Sequence, residues 1–280
     1  MNQYVLTLRC DDGPGIVHAL AGGVLAAGGN ILESAQFSDE ASGRFFMRLE
    51  FACEPLDASE AAESFRETVE SFSPELTLRS TSVRRRALIM VSRFDHCLVD
   101  LLYRYETGEL PVEIPLIVSN HETCSPIAER HGIPFVHVPV TTETKPEAEA
   151  RLLSLVERHD IDMVVLARYM QVLSDRTCAE LAGRAINIHH SFLPAFKGSR
   201  PYEQAFERGV KLIGATAHYV TADLDEGPII AQDVVQVGHA DGAKQLRALG
   251  RDVERLVLAR AVTLHAQDRV LPNGTRTVVL

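Results

Sequence analysis

From Ala87 to His190 the chain repeats one alternation, a short apolar run followed by an amphipathic stretch. The apolar runs are ALIMVS, IPLIVSN, FVHVPV, MVVLAR and RAINIHH. Helical spacing predicts helices near 95–106 and 123–131, a long one over Lys145–His159, and one more before RAINIHH. Strands separated by helices form a parallel sheet with helices packed on both faces. Sheets of this kind take ligands in the crevice at the carboxyl ends of their strands, and INIHH puts its histidines at such an end.

The first 83 residues follow a different rhythm. YVLTLR reads as a strand, and CDDGPGI breaks the chain before an alanine-rich helix that ends at Gly28 and Gly29. Asp12 or Gly13 is the expected cap of that helix, with Pro14 in its first turn. NILESAQFSD and GRFFMRLEFA read as two strands joined by a turn at Glu40 to Gly43, followed by a helix over Ser59–Phe72 and the strand ELTLRSTSV. The order βαββαβ predicts the ferredoxin-like arrangement, four antiparallel strands with two helices on one face. Arg84, Arg85 and Arg86 read as a solvated joint. The expected organisation is a domain over 1–83, a basic linker at 84–86 and a Rossmann-like, mostly parallel α/β domain over 87–280.

Composition removes several function classes. A net charge of −10 disfavours nucleic-acid binding, which needs a basic surface, and 13 acidic against 5 basic residues concentrate the acid in the first 83. No apolar run approaches the roughly 20 residues that cross a bilayer, so no membrane partner is expected. The first residues, MNQYVLTLRC, lack the pattern of a signal peptide, which makes a cytoplasmic setting the expectation. Five scattered cysteines with no C-x-x-C pair argue against a disulfide framework and against a cysteine zinc site.

Asn187, His189 and His190 admit three readings: metal ligation, acid–base chemistry, or structural histidines. Zinc takes three convergent protein ligands, yet His189 and His190 point opposite ways if the strand persists, and no H-E-x-x-H spacing occurs among the 11 histidines. No metal is expected. Downstream, GATAHYVTADLDEGPIIAQDVV reads as two strands around a tight loop holding Asp223, Asp225 and Glu226. A carboxylate can orient an imidazole or accept a proton, and an asparagine amide can donate to an oxyanion. Spacing leaves open whether the three groups meet. There is no G-x-S-x-G elbow, and MVSRFDHCLVDLL carries no glycine-rich phosphate loop, so attack by water or an amine is favoured over a covalent nucleophile.

These residues carry a resemblance. NIHHSFLP is similar to the Asn-x-His-x-Ser-Leu-Leu-Pro signature of folate-dependent formyltransferases, and DLDEGPI resembles their Asp-Gly-Gly-Pro loop. GNILESAQFSD, VSNHET, INIHHSFLPAFKGSRPY, GVKLIGATAHYV and LDEGPII extend the likeness along the chain to the 10-formyltetrahydrofolate deformylase family. The resemblance implies hydrolysis of 10-formyltetrahydrofolate to formate and tetrahydrofolate, supplying formate for purine biosynthesis and balancing the folate pool. It implies Asn187, His189 and Asp225 as catalytic residues. Arg168, Tyr169, Met170, Val172, Leu173, Thr221 and Asp223 would bind the folate, which is substrate rather than cofactor, so no cofactor is expected. The N-terminal unit resembles an ACT domain, with Asp12, Gly13, Pro14, Gly15, Ile16, Asn30 and Ile31 expected around an amino-acid effector such as glycine or methionine, in a homotetramer. Two departures from the pattern stand out: Arg168 is where lysine is expected, and SRFD at 92–95 differs from a TKEA-like segment. His190, implied not to be the catalytic histidine, takes the place of the proline usual in glycinamide ribonucleotide enzymes. The alternatives are formyl transfer to an amine acceptor and a folate- or amino-acid-sensing regulatory protein.

Overall fold

The computed structural model describes residues 1–195 and 201–280. They divide into two compact units: Met1–Arg84 with Gln267–Asn273 and Thr277–Leu280, and Arg85–Ala266 with Gly274–Arg276.

The first unit runs β1 (Asn2–Asp11), α1 (Ile16–Ala26), β2 (Asn30–Asp39), β3 (Arg44–Cys53), α2 (Ala58–Thr68) and β4 (Glu75–Ser80). Its sheet has the order β2-β3-β1-β4 with every neighbouring pair antiparallel. Tyr4, Leu6, Leu8 and Cys10 of β1 and alternate residues of β3 from Phe45 to Phe51 point to one face, where Leu20 and Val24 of α1 and Phe65 of α2 complete a core.

The residues between, Phe46 and Arg48, are buried on the other face. Phe46 packs with Leu271 and Val278 of a C-terminal hairpin. Arg48 donates from Nε to the Gln267 carbonyl at 3.0 Å and pairs with Glu33 at 2.8 Å. β3 is thus buried on both faces, and it carries the charged Arg48 on the second of them. This packing corrects the expected boundary of 87–280, because most of the last 14 residues belong to the first unit.

Two local expectations also shift. The N-cap of α1 is Gly15, not Asp12 or Gly13, because the Asp12 amide still bonds the Gly43 carbonyl at 3.0 Å and prolongs the strand pairing. The single helix expected over Ser59–Phe72 breaks at Val69 and continues as a tighter turn over Glu70–Phe72.

The second unit begins with β5 (Arg85–Val91), so two residues of the expected basic linker are strand residues. The Arg86 amide donates to Asp162 at 2.7 Å and its guanidinium pairs with Glu113 at 3.0 Å, which consumes the charge locally. There follow α3 (His96–Glu106), β6 (Val112–Ser119), α4 (Ser125–Arg130), β7 (Phe135–His137), α5 (Lys145–Arg158), β8 (Met163–Leu166) and α6 (Asp175–Glu180). β9 (Ala185–His189), α7 (Pro201–Glu207), β10 (Leu212–Tyr219), β11 (Ile229–Gln236) and α8 (Ala243–Ala266) complete it. Among the described residues the sheet has the order β11-β10-β9-β8-β5-β6-β7. The five strands from β9 to β7 are parallel, and β10 runs antiparallel to both its neighbours. The chain leaves β5 toward β6 and returns on its other side at β8, so a crevice opens at their carboxyl ends. Among the described residues no helix is long and apolar enough to cross a membrane.

Candidate active site

β9 carries Asn187 and His189 two residues apart, hence on one face of the sheet. The register sets His218 of β10 directly beside Asn187. His218 Nδ1 lies 2.9 Å from the Tyr219 carbonyl, which can only accept, so the proton sits on Nδ1. Its Nε2 therefore accepts from Asn187 Nδ2 at 3.2 Å. Burial pushes the His218 pKa below the usual histidine value and favours this neutral form.

Asp225 comes from the loop after β10. The loop is closed by a bond from the Tyr219 amide to the Pro228 carbonyl at 2.9 Å, and Asp225 takes a left-handed backbone with φ 58°. Gly227 permits the closure, since a Cβ there would lie 1.8 Å from the Tyr219 carbonyl oxygen. Asp225 Oδ1 is thereby held 3.2 Å from His189 Nδ1 and 3.8 Å from His218 Nε2. Burial alone would raise the Asp225 pKa, but the bond to His189 and the electrostatic influence of the surrounding imidazoles bring it below the ordinary carboxylate value. The ionised carboxylate keeps the His189 proton on Nδ1. His189 Nε2 is buried and has no hydrogen-bond partner among the described residues, which leaves a basic nitrogen available for chemistry.

All three expected catalytic residues thus meet, and they line a cavity of about 890 Å³, a volume typical of small-molecule sites. Of the residues expected to bind the folate, Arg168, Tyr169, Met170, Val172, Leu173 and Thr221 line it. Asp223 does not: it is exposed, and its carbonyl accepts from the Thr221 hydroxyl at 3.0 Å, so it shapes the loop instead. The rim at 167–174 is pinned by Ser92, whose hydroxyl accepts from the Met170 amide at 2.9 Å and donates to Asn120 Oδ1 at 2.6 Å. Burial raises the Tyr169 pKa to about 12, so this wall presents a neutral phenol.

β9 ends at His189, so His190 is not forced to the opposite face as strand alternation predicts. The two rings meet edge to face with centroids 5.1 Å apart, and both line the cavity. Burial, with Arg168 and His189 adding to it, pushes the His190 pKa down to about 3.

Sequence reasoning missed a further wall. Glu254 of α8 is 1% exposed, accepts from the Tyr202 hydroxyl, and lies 2.8 Å from His96 Nε2 and 3.4 Å from Arg168 Nε. The available signal was a charge inside the apolar stripe Leu246, Val253, Val257, Leu258 of a strongly periodic segment. Glu254, His96 and Cys97 bring ligand-type atoms within 4.8 Å of one another. A guanidinium beside the same carboxylate opposes a cation there, and burial pushes the Cys97 thiol well above its ordinary pKa.

In the first unit, Asp12 to Gly15 form the loop from β1 to α1 and Ile16 opens the helix, whereas Asn30 and Ile31 open β2. Asp11 pairs with Arg44 and Asn30 with Ala52, so the two groups sit at opposite ends of β3, about 27 Å apart at strand spacing. One chain does not unite the expected effector residues. Of the stretch INIHHSFLPAFKGSRPY, residues 196–200 lie outside the described residues.

A family model described as formyl transferase matches residues 85–262, the span that holds every residue of the cavity. A formyltetrahydrofolate deformylase from Corynebacterium sp. (strain P-1) is 50% identical over 99% of this chain and 98% of its own length. The chain belongs to the formyltetrahydrofolate deformylase family. A crystal structure of a family member from Burkholderia mallei superposes with a TM-score of 0.95 at 49% identity, covering 100% of both chains. Glycinamide ribonucleotide transformylase 1 from Symbiobacterium toebii gives a TM-score of 0.66 at 31% identity, covering 70% of this chain and 94% of its own. The deformylase likeness therefore spans both units, and the transformylase likeness only part of the chain.

Proposed function

We infer that the protein hydrolyses 10-formyltetrahydrofolate to formate and tetrahydrofolate. The observation that carries the mechanism is His189, whose Nδ1 faces an ionised Asp225 while its buried Nε2 has no partner among the described residues. Nε2 takes a proton from water as the oxygen attacks the formyl carbon. Asn187, oriented by His218, donates to the oxyanion, joined by the protonated His189. Collapse breaks the bond from carbon to N10, and His189 returns the proton to N10. Water is the only other reactant, so the folate is substrate and the reaction needs no separate cofactor. The apolar rim, Tyr169 and Leu173 among it, receives the pterin, and Arg168 and Thr221 bind polar atoms of the substrate.

The test is formate and tetrahydrofolate release by the purified protein with no amine acceptor present, beside Asp225→Asn. Release that disappears in the variant is the expected result. Tight folate binding without release would exclude a hydrolase and point to an acceptor-dependent transferase or a sensor.

The same reading makes the first unit an ACT-like regulatory domain in a cytoplasmic homotetramer that meters formate for purine biosynthesis. The βαββαβ order and the exposed turn at Gly15 support it. An effector such as glycine or methionine would be bound where two copies bring the Asp12–Ile16 loop of one to Asn30 of the other. Formate release titrated with each amino acid tests this, and flat responses to both would exclude them as effectors.

A further inference from the structure

Glu254, the most buried charged residue of the cavity wall, has no place in the chemistry above. Its two oxygens are nonetheless engaged by side chains from three separate elements: Tyr202 of α7 on Oε1, and His96 of α3 and Arg168 after β8 on Oε2. Burial opposes its ionisation, but His96, Arg168 and Tyr202 outweigh this and hold the carboxyl below its ordinary value. The helix is shaped for the arrangement. Tyr202 crosses α8 at Gly250, where a Cβ would lie 2.1 Å from the phenolic oxygen, so a residue that weakens helix interiors is kept one turn before Glu254.

Arg168 is constrained from two further directions. Its backbone sits in the left-handed region at φ 65°, rare for a side-chain-bearing residue, and its guanidinium lies over the Phe94 ring at 5.2 Å. The side chain is 8% exposed, lines the cavity, and its Nε makes no hydrogen bond among the described residues. A guanidinium this buried stays in place only beside a counter-charge. Glu254 is the carboxylate that supplies it.

We propose that Glu254 is a positioning residue for the deformylase reaction: it holds Arg168 inside the cavity as a charge-balanced donor to an oxygen of the bound folate, without touching the substrate itself. The proposal rests on the hydrolase reading above. Arg168 and Glu254 then act as one unit, and their substitutions must not multiply.

The experiment is a double-mutant cycle on the full chain, with kcat/KM read from formate release for wild type, Arg168→Met, Glu254→Gln and the double variant. Arg168→Met should lose about 10- to 100-fold, the scale of one hydrogen bond to a charged group, and Glu254→Gln a similar factor. The double variant should lose no more than Arg168→Met alone, and Arg168→Lys, which keeps the charge, should retain more activity than Arg168→Met. Losses that multiply, or a fully active Glu254→Gln, would overturn the proposal. If Glu254→Gln leaves an unpaired buried guanidinium and fails to fold, the double variant is a neutral pair and is compared with Arg168→Met directly. Equal activity supports the proposal, and any further loss beyond assay error overturns it. Wild-type protein that releases no formate removes the hydrolase reading, whereas active wild type with multiplying losses removes this inference alone.

Discussion

Among the described residues, the wall of the cavity built from β9 and β10 leaves one buried nitrogen, His189 Nε2, without a hydrogen bond, whereas the wall built from α3, α7 and α8 engages both oxygens of Glu254. Both walls bury a carboxylate whose pKa is held below its ordinary value against the effect of burial. They differ in where the unmet demand is left. A reacting group needs an atom facing substrate with no other partner, and it tolerates this only when its far side is fixed, as Asp225 fixes Nδ1. A supporting group does best when every polar atom is met, because a half-satisfied buried network destabilises its surroundings.

The comparison predicts that damage to the first wall appears in turnover rather than in binding. Beyond the loss expected of Asp225→Asn, the largest effect is for Asn187→Ala, with kcat lower by about 10²- to 10³-fold, the range for one oxyanion donor, and KM nearly unchanged. Steady-state kinetics decides it, and an equal loss of folate affinity would remove Asn187 from the oxyanion role. Gly227→Ala places a Cβ against the Tyr219 carbonyl and must displace the loop that aims Asp225. The expected fall in kcat is up to about 10²-fold, since a misplacement near 1 Å has that scale. A variant with unchanged kcat would show that the loop yields without moving Asp225.

The smallest effect is on stability against acid. For His190 the folded pKa is about 3 against 6.5 unfolded, so between those values the unfolded chain takes up a proton that the folded chain refuses. Stability therefore falls as pH drops through that window. His218, also lowered, acts in the same sense, and the lowered Asp225 and Glu254 lose their contributions as pH falls through their folded values. Urea midpoints between about pH 7 and about pH 4.5 should decline for wild type and decline less steeply for His190→Gln. Identical slopes would mean that His190 is protonated in the folded protein.

The sequence makes legible what local geometry decides. A strand end carrying Asn187 and His189 and a tight turn carrying Asp225 are set by residues within a few positions, so the wall proposed to react is readable from the chain itself. Errors arise where a neighbour distant in sequence, or a single backbone angle, makes the decision. Alternation sends His190 to the wrong face because β9 stops one residue earlier than a continuous strand would, and Asp223 falls outside the cavity because one left-handed residue aims only Asp225 at His189. Glu254 meets its partners 158, 86 and 52 residues away, at His96, Arg168 and Tyr202, and no window of sequence contains them. The C-terminal hairpin escapes for the same reason: its allegiance is set by Phe46.

That hairpin also imposes an order on synthesis. Arg48 is 3% exposed, and the carbonyl that receives its Nε belongs to Gln267. At translation rates of about 5 to 20 residues per second, Gln267 follows Arg48 by about 10 to 45 s. Phe46 therefore stays uncovered until Leu271 and Val278 have been made, after the residues 85–266 that separate them.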